Sequence, residues 1–259
     1  MSRIRVAIGE QLETCPQVIT LGLRPQMADY TEQERRLLRT ADVIFYPTDR
    51  YVDLFATLGK ETFPSVNCYR LRGNRLKHIA LLRLLNVPYP STRVYYGYRQ
   101  KRDILKEFAF PFVAKKAREA ADGKQVYLIN TRKQLDRYNQ HFNPALIQEY
   151  VAPEKELRVI VLNCHTPFGY RRNVIGSDSK GSSSQQGTWK TDDVDPEGVE
   201  LAKSIARDAN LSDVAVDMVF DGSRYWVLEL NFLWDETDSH QAGPERVKLV
   251  SEMIDRGEL

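Results

Sequence analysis

Two apolar runs late in the chain each carry residues that do not belong in a core. Asp217 interrupts the run 214–220 (VAVDMVF), and Glu229 and Asn231 close the run 226–231 (WVLELN). A carboxylate set inside so apolar a strand costs several kcal/mol unless something compensates it. Glu229 and Asn231 are two positions apart, so their side chains leave the same face of a strand, roughly 6.5 Å apart along it. All three offer hard oxygen ligands, the kind magnesium takes together with substrate phosphates. Two such ions about 4 Å apart clamp a transferring phosphoryl group.

Whether Asp217 joins the other two depends on the hairpin register. A two-residue turn at Asp221-Gly222 opposes Asp217 to Trp226 and sends Glu229 to the other face. A three-residue loop, Gly222-Ser223-Arg224, opposes Asp217 directly to Glu229. A metal site requires the second pairing. An ordinary half-exposed hairpin with polar edges satisfies either, and the sequence leaves both open.

Two earlier segments supply further chemistry. Lys115 ends an apolar strand that a polar loop follows, so it can meet nucleotide phosphates as a point charge, and Lys116 must then point the other way. The run 146–151 (LIQEYV) reads as an apolar strand ending at Glu149 with a linker behind it. Such a hinge, Gln148-Glu149-Tyr150-Val151, presents backbone groups to an adenine edge, and Glu156 just beyond it can accept hydrogen bonds from ribose hydroxyls. The four histidines (His78, His141, His165 and His240) are scattered without metal spacing and read as structural. Tyr95-Tyr96-Gly97-Tyr98 reads as packing or a subdomain contact. Trp234, Asp235 and Glu236 either line an acceptor pocket or form a structural turn.

The elements that must position these residues follow from periodicity. Short apolar runs at 4–9, 17–22 and 42–47 alternate with helical patterns at 30–40 and 51–58, which predicts a small, largely parallel α/β layer. Thr31 with Glu34 three residues on forms a capping-box signal, and Gly59 ends the second helix. Helices over 74–85, 101–108 and 132–139 and strands over 110–116, 125–130 and 145–151 predict a compact α+β lobe. A polar segment with one glycine, 118–124, separates two of those strands. The last part holds strands over 157–163, 168–173, 214–220 and 225–231, a helix from Pro196 to about 209, and a final helix over roughly 244–254. The serine-rich segment 176–187 cannot bury apolar area and reads as a mobile loop.

Composition narrows the class. The chain has 259 residues, 42% hydrophobic and 28% charged, with a net charge of +2, the balance of a soluble globular protein. Near-neutrality gives no argument for a nucleic-acid partner. No run of about 18 apolar residues spans a membrane, and the first residues lack the apolar core of a signal peptide. Cys15, Cys68 and Cys164 lie far apart and form neither a metal nor a disulfide pattern, which suits the reducing cytoplasm. A homo-oligomer is compatible with all of this.

The order of these features is the most specific signal. A helix bearing Arg75, the Lys115 strand, the 148–150 hinge, Glu156-Leu157-Arg158, Arg171-Arg172, Asp217 and finally Glu229-Leu230-Asn231 resembles the ATP-grasp superfamily, and its RimK-type glutamate ligases most closely. The resemblance covers about residues 67–235. It implies an ATP-grasp fold in which two α+β subdomains (67–148 and 149–259) grip ATP, preceded by a short α/β domain (1–66). It further implies an ATP- and Mg2+-dependent carbon–nitrogen ligase, with two ions, that joins a small-molecule or peptide carboxylate to an amine through an acyl phosphate. On that basis Arg75 and Lys115 contact phosphates, Gln148, Glu149, Tyr150 and Val151 hold the adenine, and Glu156 sits at the ribose. Asp217, Glu229 and Asn231 ligate the metal, and Arg158 and Arg172 lie near the reacting centre. Arg75 stands where the family usually has a lysine, and segment 118–124 is poor in glycine where the family covers the phosphates. An ATP-grasp kinase of a small molecule and a non-catalytic ATP-binding regulator are the competing readings.

Overall fold

The alternation of strand and helix signals over the first 66 residues produces one parallel sheet. Strands β1 (Arg5–Ala7), β2 (Ile19–Thr20), β3 (Val43–Phe45) and β4 (Glu61–Phe63) lie in the order β2-β1-β3-β4, all neighbours parallel. The computed structural model describes residues 3–118, 126–173, 194–232 and 246–259. Helix α1 (Glu32–Thr40) starts on the expected capping box, Thr31 with Glu34, and α2 (Thr48–Thr57) runs out at Gly59, whose φ of 69° is a left-handed stop.

Helices α3 (Val66–Leu71) and α4 (Arg75–Leu84) lead to a second, antiparallel sheet. Its strands are β5 (Thr92–Tyr95), β6 (Phe112–Lys115), β7 (Val126–Ile129) and β8 (Ala145–Glu149), in the order β5-β8-β6-β7. Single-turn helices α5 (Gly97–Lys101) and α6 (Ile104–Glu107) and the capped helix α7 (Arg132–His141) complete this lobe around Tyr95, Phe112, Ala114, Leu135, Tyr138 and Ile147.

The third sheet is also antiparallel. It contains β9 (Lys155–Leu162), β10 (His165–Asn173), β11 (Asp213–Phe220) and β12 (Tyr225–Asn231), ordered β10-β9-β11-β12. Alternation along these strands gives the sheet two unlike faces. Leu157, Val159, Val161, Val214, Val216, Met218 and Leu230 pack against helix α8 (Pro196–Asp208) and against Cys68 and Leu82 of α3 and α4. The opposite face is apolar at one end only. There Ile160, Leu162 and Ala215 meet helix α9 (Arg246–Asp255), whose Leu249, Val250, Met253 and Ile254 also cover Ala7, Val43, Phe45 and Phe63 of the first sheet. The other end of that face carries the charged residues.

The sequence reading differs in places. It passes over β4, α3 and β5, because three- and four-residue strands beside prolines are too short to show a period. The helix expected over 101–108 is two single turns, α5 and α6, separated by Arg102 and Asp103. Segment 176–187, residues 119–124 of the glycine-poor loop, and Trp234, Asp235 and Glu236 lie outside the described residues. No helix among the described residues is long and apolar enough to cross a membrane.

Candidate active site

Asp217 of β11 stands directly opposite Glu229 of β12. This is the pairing a metal site requires, reached by a route that neither loop considered from sequence provides. Phe220 pairs with Tyr225, so the connecting loop has four residues, Asp221 to Arg224. That register alone would set Asp217 against Leu228. A β-bulge between the pairs Met218–Val227 and Asp217–Glu229 leaves Leu228 as the extra residue and restores the match. The loop is held by the Asp221 carboxylate. One oxygen accepts from the Ser223 N–H (2.8 Å), the Ser223 hydroxyl (2.7 Å) and the Arg224 N–H (3.1 Å), and the other from the Trp226 indole (2.6 Å). These bonds, led by that from Trp226, hold the carboxyl well below the usual carboxylate range.

The same row of the sheet continues onto β9, where Asp217 is opposite Arg158. Residues directly opposed across strands share a face, so Arg158, Asp217 and Glu229 project together. Arg158 Nε donates to Asp217 Oδ1 at 2.6 Å and its Nη2 to Oδ2 at 3.0 Å, a bidentate pair. Asn231 lies one strand repeat beyond Glu229, with buried Leu230 between them pointing into the opposite core.

Two more cations reach this row from outside the sheet. Lys115, at the end of β6, is 6% exposed and donates from Nζ to the carbonyl of Leu228, the bulged residue, at 2.9 Å. Burial pushes its ammonium below the ordinary lysine range, while Glu229 acts in the opposite sense. Its neighbour Lys116 points away, its ammonium 5.7 Å from the Phe142 ring, as strand alternation demands. Arg75 begins α4, where the Asn74 side chain caps the helix by accepting from the Lys77 N–H. Its own N–H donates to the Ala117 carbonyl, which ties the helix start to the strand end. Its guanidinium donates from Nε (2.9 Å) and Nη2 (2.6 Å) to Glu229 Oε1, and from Nη1 to the Lys116 carbonyl at 3.2 Å. Lys77 turns elsewhere and donates to the Arg70 carbonyl.

His78, read from the sequence as structural, borders this row. It lies one turn beyond Arg75 on α4, is 2% exposed, and lines a narrow cavity together with Arg75, Lys115, Leu228 and Glu229. Its Nε2 is 2.9 Å from the Leu71 carbonyl, its ring is 5.4 Å from that of Phe232, and its buried Nδ1 has no hydrogen-bond partner among the described residues. Burial pushes the imidazole below its ordinary value, so the ring is neutral with Nε2–H donating. The only sequence signal for it is helical spacing, since 75, 78 and 82 share one face of α4.

The hinge residues fall between the second and third sheets. Strand β8 ends at Glu149 and β9 begins at Lys155. Gln148 is buried and donates its amide to the Thr92 hydroxyl at 3.0 Å; the Glu149 N–H donates to the Ser91 carbonyl. Glu149 is exposed, and Tyr150 and Val151 are half-buried. Glu156 is two residues before Arg158 on β9, on the same face, with Val219 and Arg172 as its cross-strand partners. The side chain of Arg172 lies outside the described residues.

The donor set fits magnesium held jointly with phosphate. Two directly opposed carboxylates and one amide are what this hard ion takes from protein when phosphates and water supply the rest. Among the described residues no three His, Cys, Asp or Glu side chains cluster as a cation cage would require.

Known proteins carry the same arrangement of sheets. The ligase PsnB, in a structure described as complexed with minimal precursor, Mg and ADP, superposes with a TM-score of 0.67 at 14% identity, covering 97% of each chain. The macrocyclase MdnC from Microcystis aeruginosa, bound with precursor peptide MdnA, gives 0.68 at 14% identity over 96% of this chain and 97% of that one. A RimK domain protein from Sphaerobacter thermophilus gives 0.62 at 17% identity, covering 90% and 93%. At such identities these likenesses speak for the fold. A search of the curated proteins finds no match. The model of the RimK-like ATP-grasp domain matches residues 72–243, about two-thirds of the chain and the part that holds every residue of the charged row, and the chain therefore belongs to the RimK-like ATP-grasp family.

Proposed function

We propose that this protein is an ATP- and magnesium-dependent ligase that joins a carboxylate to an amine. The observation that carries the reading is the convergence of Arg75 and Lys115, from α4 and β6, onto the Arg158–Asp217–Glu229 row of the third sheet. Cations arriving from one lobe and carboxylates from the other suit a triphosphate lying between them.

On this reading the units are residues 1–66, 67–148 and 149–259, with the hinge Gln148-Glu149-Tyr150-Val151 at the adenine and Glu156 at the ribose. Asp217, Glu229 and Asn231 would hold magnesium, two ions in all, which when bound would neutralise charge on the phosphates. Lys115 and Arg75 steady the transferring phosphoryl, and Arg158 and Arg172 stand at the reacting centre. The γ-phosphoryl passes to a carboxylate oxygen and ADP leaves. The amine nitrogen then bonds to the acyl carbon, phosphate departs with the carbon–oxygen bond, and the amine proton goes to solvent. No side-chain nucleophile is needed. Structures of PsnB and MdnC are described with precursor peptides, so peptide carboxylates and amines are the first candidates. ATP use and three cysteines outside any disulfide suit the cytoplasm.

ADP release measured with Mg2+ across a panel of amines and carboxylates tests this. Release that needs both a carboxylate and an amine, with a condensed product by mass spectrometry, supports it. Release with a phosphorylated product and no amine requirement makes the protein a phosphotransferase, and ATP binding with no ADP release makes it a non-catalytic ATP-binding regulator.

A further inference from the structure

We infer that Arg75 withholds Glu229 from metal until a nucleotide binds, so that the divalent ion and the nucleotide enter this site only together. The inference rests on the nucleotide site proposed above and adds the order in which it is filled.

Among the described residues the row holds two carboxylates, Asp217 and Glu229, against three cations, Arg75, Arg158 and Lys115. Glu156 stands on the same face two residues before Arg158, so the positive excess is local to Glu229, where Arg75 and Lys115 meet one carboxylate, and there it attracts a polyphosphate and repels a bare divalent ion. The carboxylates are also occupied. Arg75, 7% exposed, places two N–H groups on one oxygen of Glu229, and Arg158 uses both oxygens of Asp217. A divalent ion at Glu229 would therefore stand beside a largely desolvated guanidinium. Among the described residues no three His, Cys, Asp or Glu side chains cluster here as a bare ion would need.

Phosphate resolves the conflict. A guanidinium fork donates to phosphate oxygens as readily as to carboxylate oxygens. The backbone of Arg75 is fixed through its bond to Ala117, so the side chain can turn to a phosphate without moving α4. Glu229 is then released to the metal at the moment phosphate oxygens complete the coordination. Arginine suits this role better than lysine, because its fork sets two N–H groups from a rigid plane on the one carboxylate oxygen. By linkage, nucleotide must tighten metal binding by the same factor as metal tightens nucleotide binding.

Mn2+ binding read by electron paramagnetic resonance, with and without ADP, tests the inference on the whole protein. Wild type should bind Mn2+ roughly tenfold or more tightly with ADP than without, and ADP should gain by the same factor from Mn2+. Arg75→Met should gain Mn2+ binding in the absence of ADP, and Arg75→Lys, which keeps the charge and the fold, should gain it to a lesser degree. Equal Mn2+ affinity with and without ADP in wild type overturns the inference, as does unchanged ADP-free Mn2+ binding in both variants. If ADP binds neither with nor without Mn2+, the nucleotide site itself is refuted and the inference falls with it.

Discussion

Lys115 donates to the carbonyl of Leu228, the one residue of β12 that the bulge leaves without an opposite number on β11. An unpaired carbonyl in a buried ladder must find a donor, and the lysine of the neighbouring lobe supplies it at 2.9 Å. The irregularity that sets Asp217 against Glu229 thus also anchors the cation facing them. Lys115→Met removes a buried charge while Arg75 continues to pair with Glu229. Its unfolding free energy should fall by about 1–3 kcal/mol, because the Leu228 carbonyl loses its donor, and its ADP affinity should fall roughly tenfold or more. Denaturant unfolding and ADP titration check the two halves separately.

Arg158 and Asp217 should depend on each other for stability. Arg158→Met strips a partly buried carboxylate of its bidentate partner, at an expected cost of about 2–3 kcal/mol. The double variant Arg158→Met with Asp217→Asn leaves no charge behind and should recover most of that loss. A double-mutant cycle by urea unfolding reads the difference.

The four-residue loop can be perturbed without moving the row. Gly222 has φ of 97°, and a Cβ there would lie 2.8 Å from a carboxylate oxygen of Glu154. Gly222→Ala should cost about 1 kcal/mol or somewhat more from backbone strain. Because the bulge lies between the loop and Asp217, ADP affinity should be unchanged, and a parallel loss of both would show that the loop does set the register.

His78 sets a pH dependence whose sign is fixed by its burial. Its folded value lies below the ordinary 6.5, so between the two values the unfolded chain binds the extra proton. Stability from the neutral ring is complete above about pH 6.5 and is lost as pH falls toward the folded value. Unfolding free energies of wild type should decline from pH 7.5 to 5.5 more steeply than those of His78→Gln, and equal slopes would place the titration elsewhere.

Much of the fold was legible because each lobe keeps its own period. The capping box at Thr31, the glycine stop at Gly59 and the alternation along 214–220 all speak through local spacing. The Asp217–Glu229 pairing could be stated in advance as a requirement, since one residue of slip sends Glu229 to the other face. Its means could not. Leu228 is an ordinary leucine in an apolar run, and nothing local marks it as the bulged position. Arg75 was assigned a phosphate by resemblance, but its hold on Glu229 joins residues 154 positions apart and exists only once the lobes meet. His78 shares the Arg75 face of α4, a placement that helical spacing alone makes readable.

Helix α9 fills the space between the first and third sheets, and Arg5 of the first strand reaches the Leu259 carbonyl 254 positions away. One face of the earliest strands closes locally, on Tyr30, Leu38 and Phe55, but the other has no finished interior until α9 has been made. Closing so long a loop is entropically slow, and until then Ala7, Phe45 and Phe63 face water. Refolding should thus show an early phase for the second lobe, whose contacts are local, and a late one that joins the two ends of the chain.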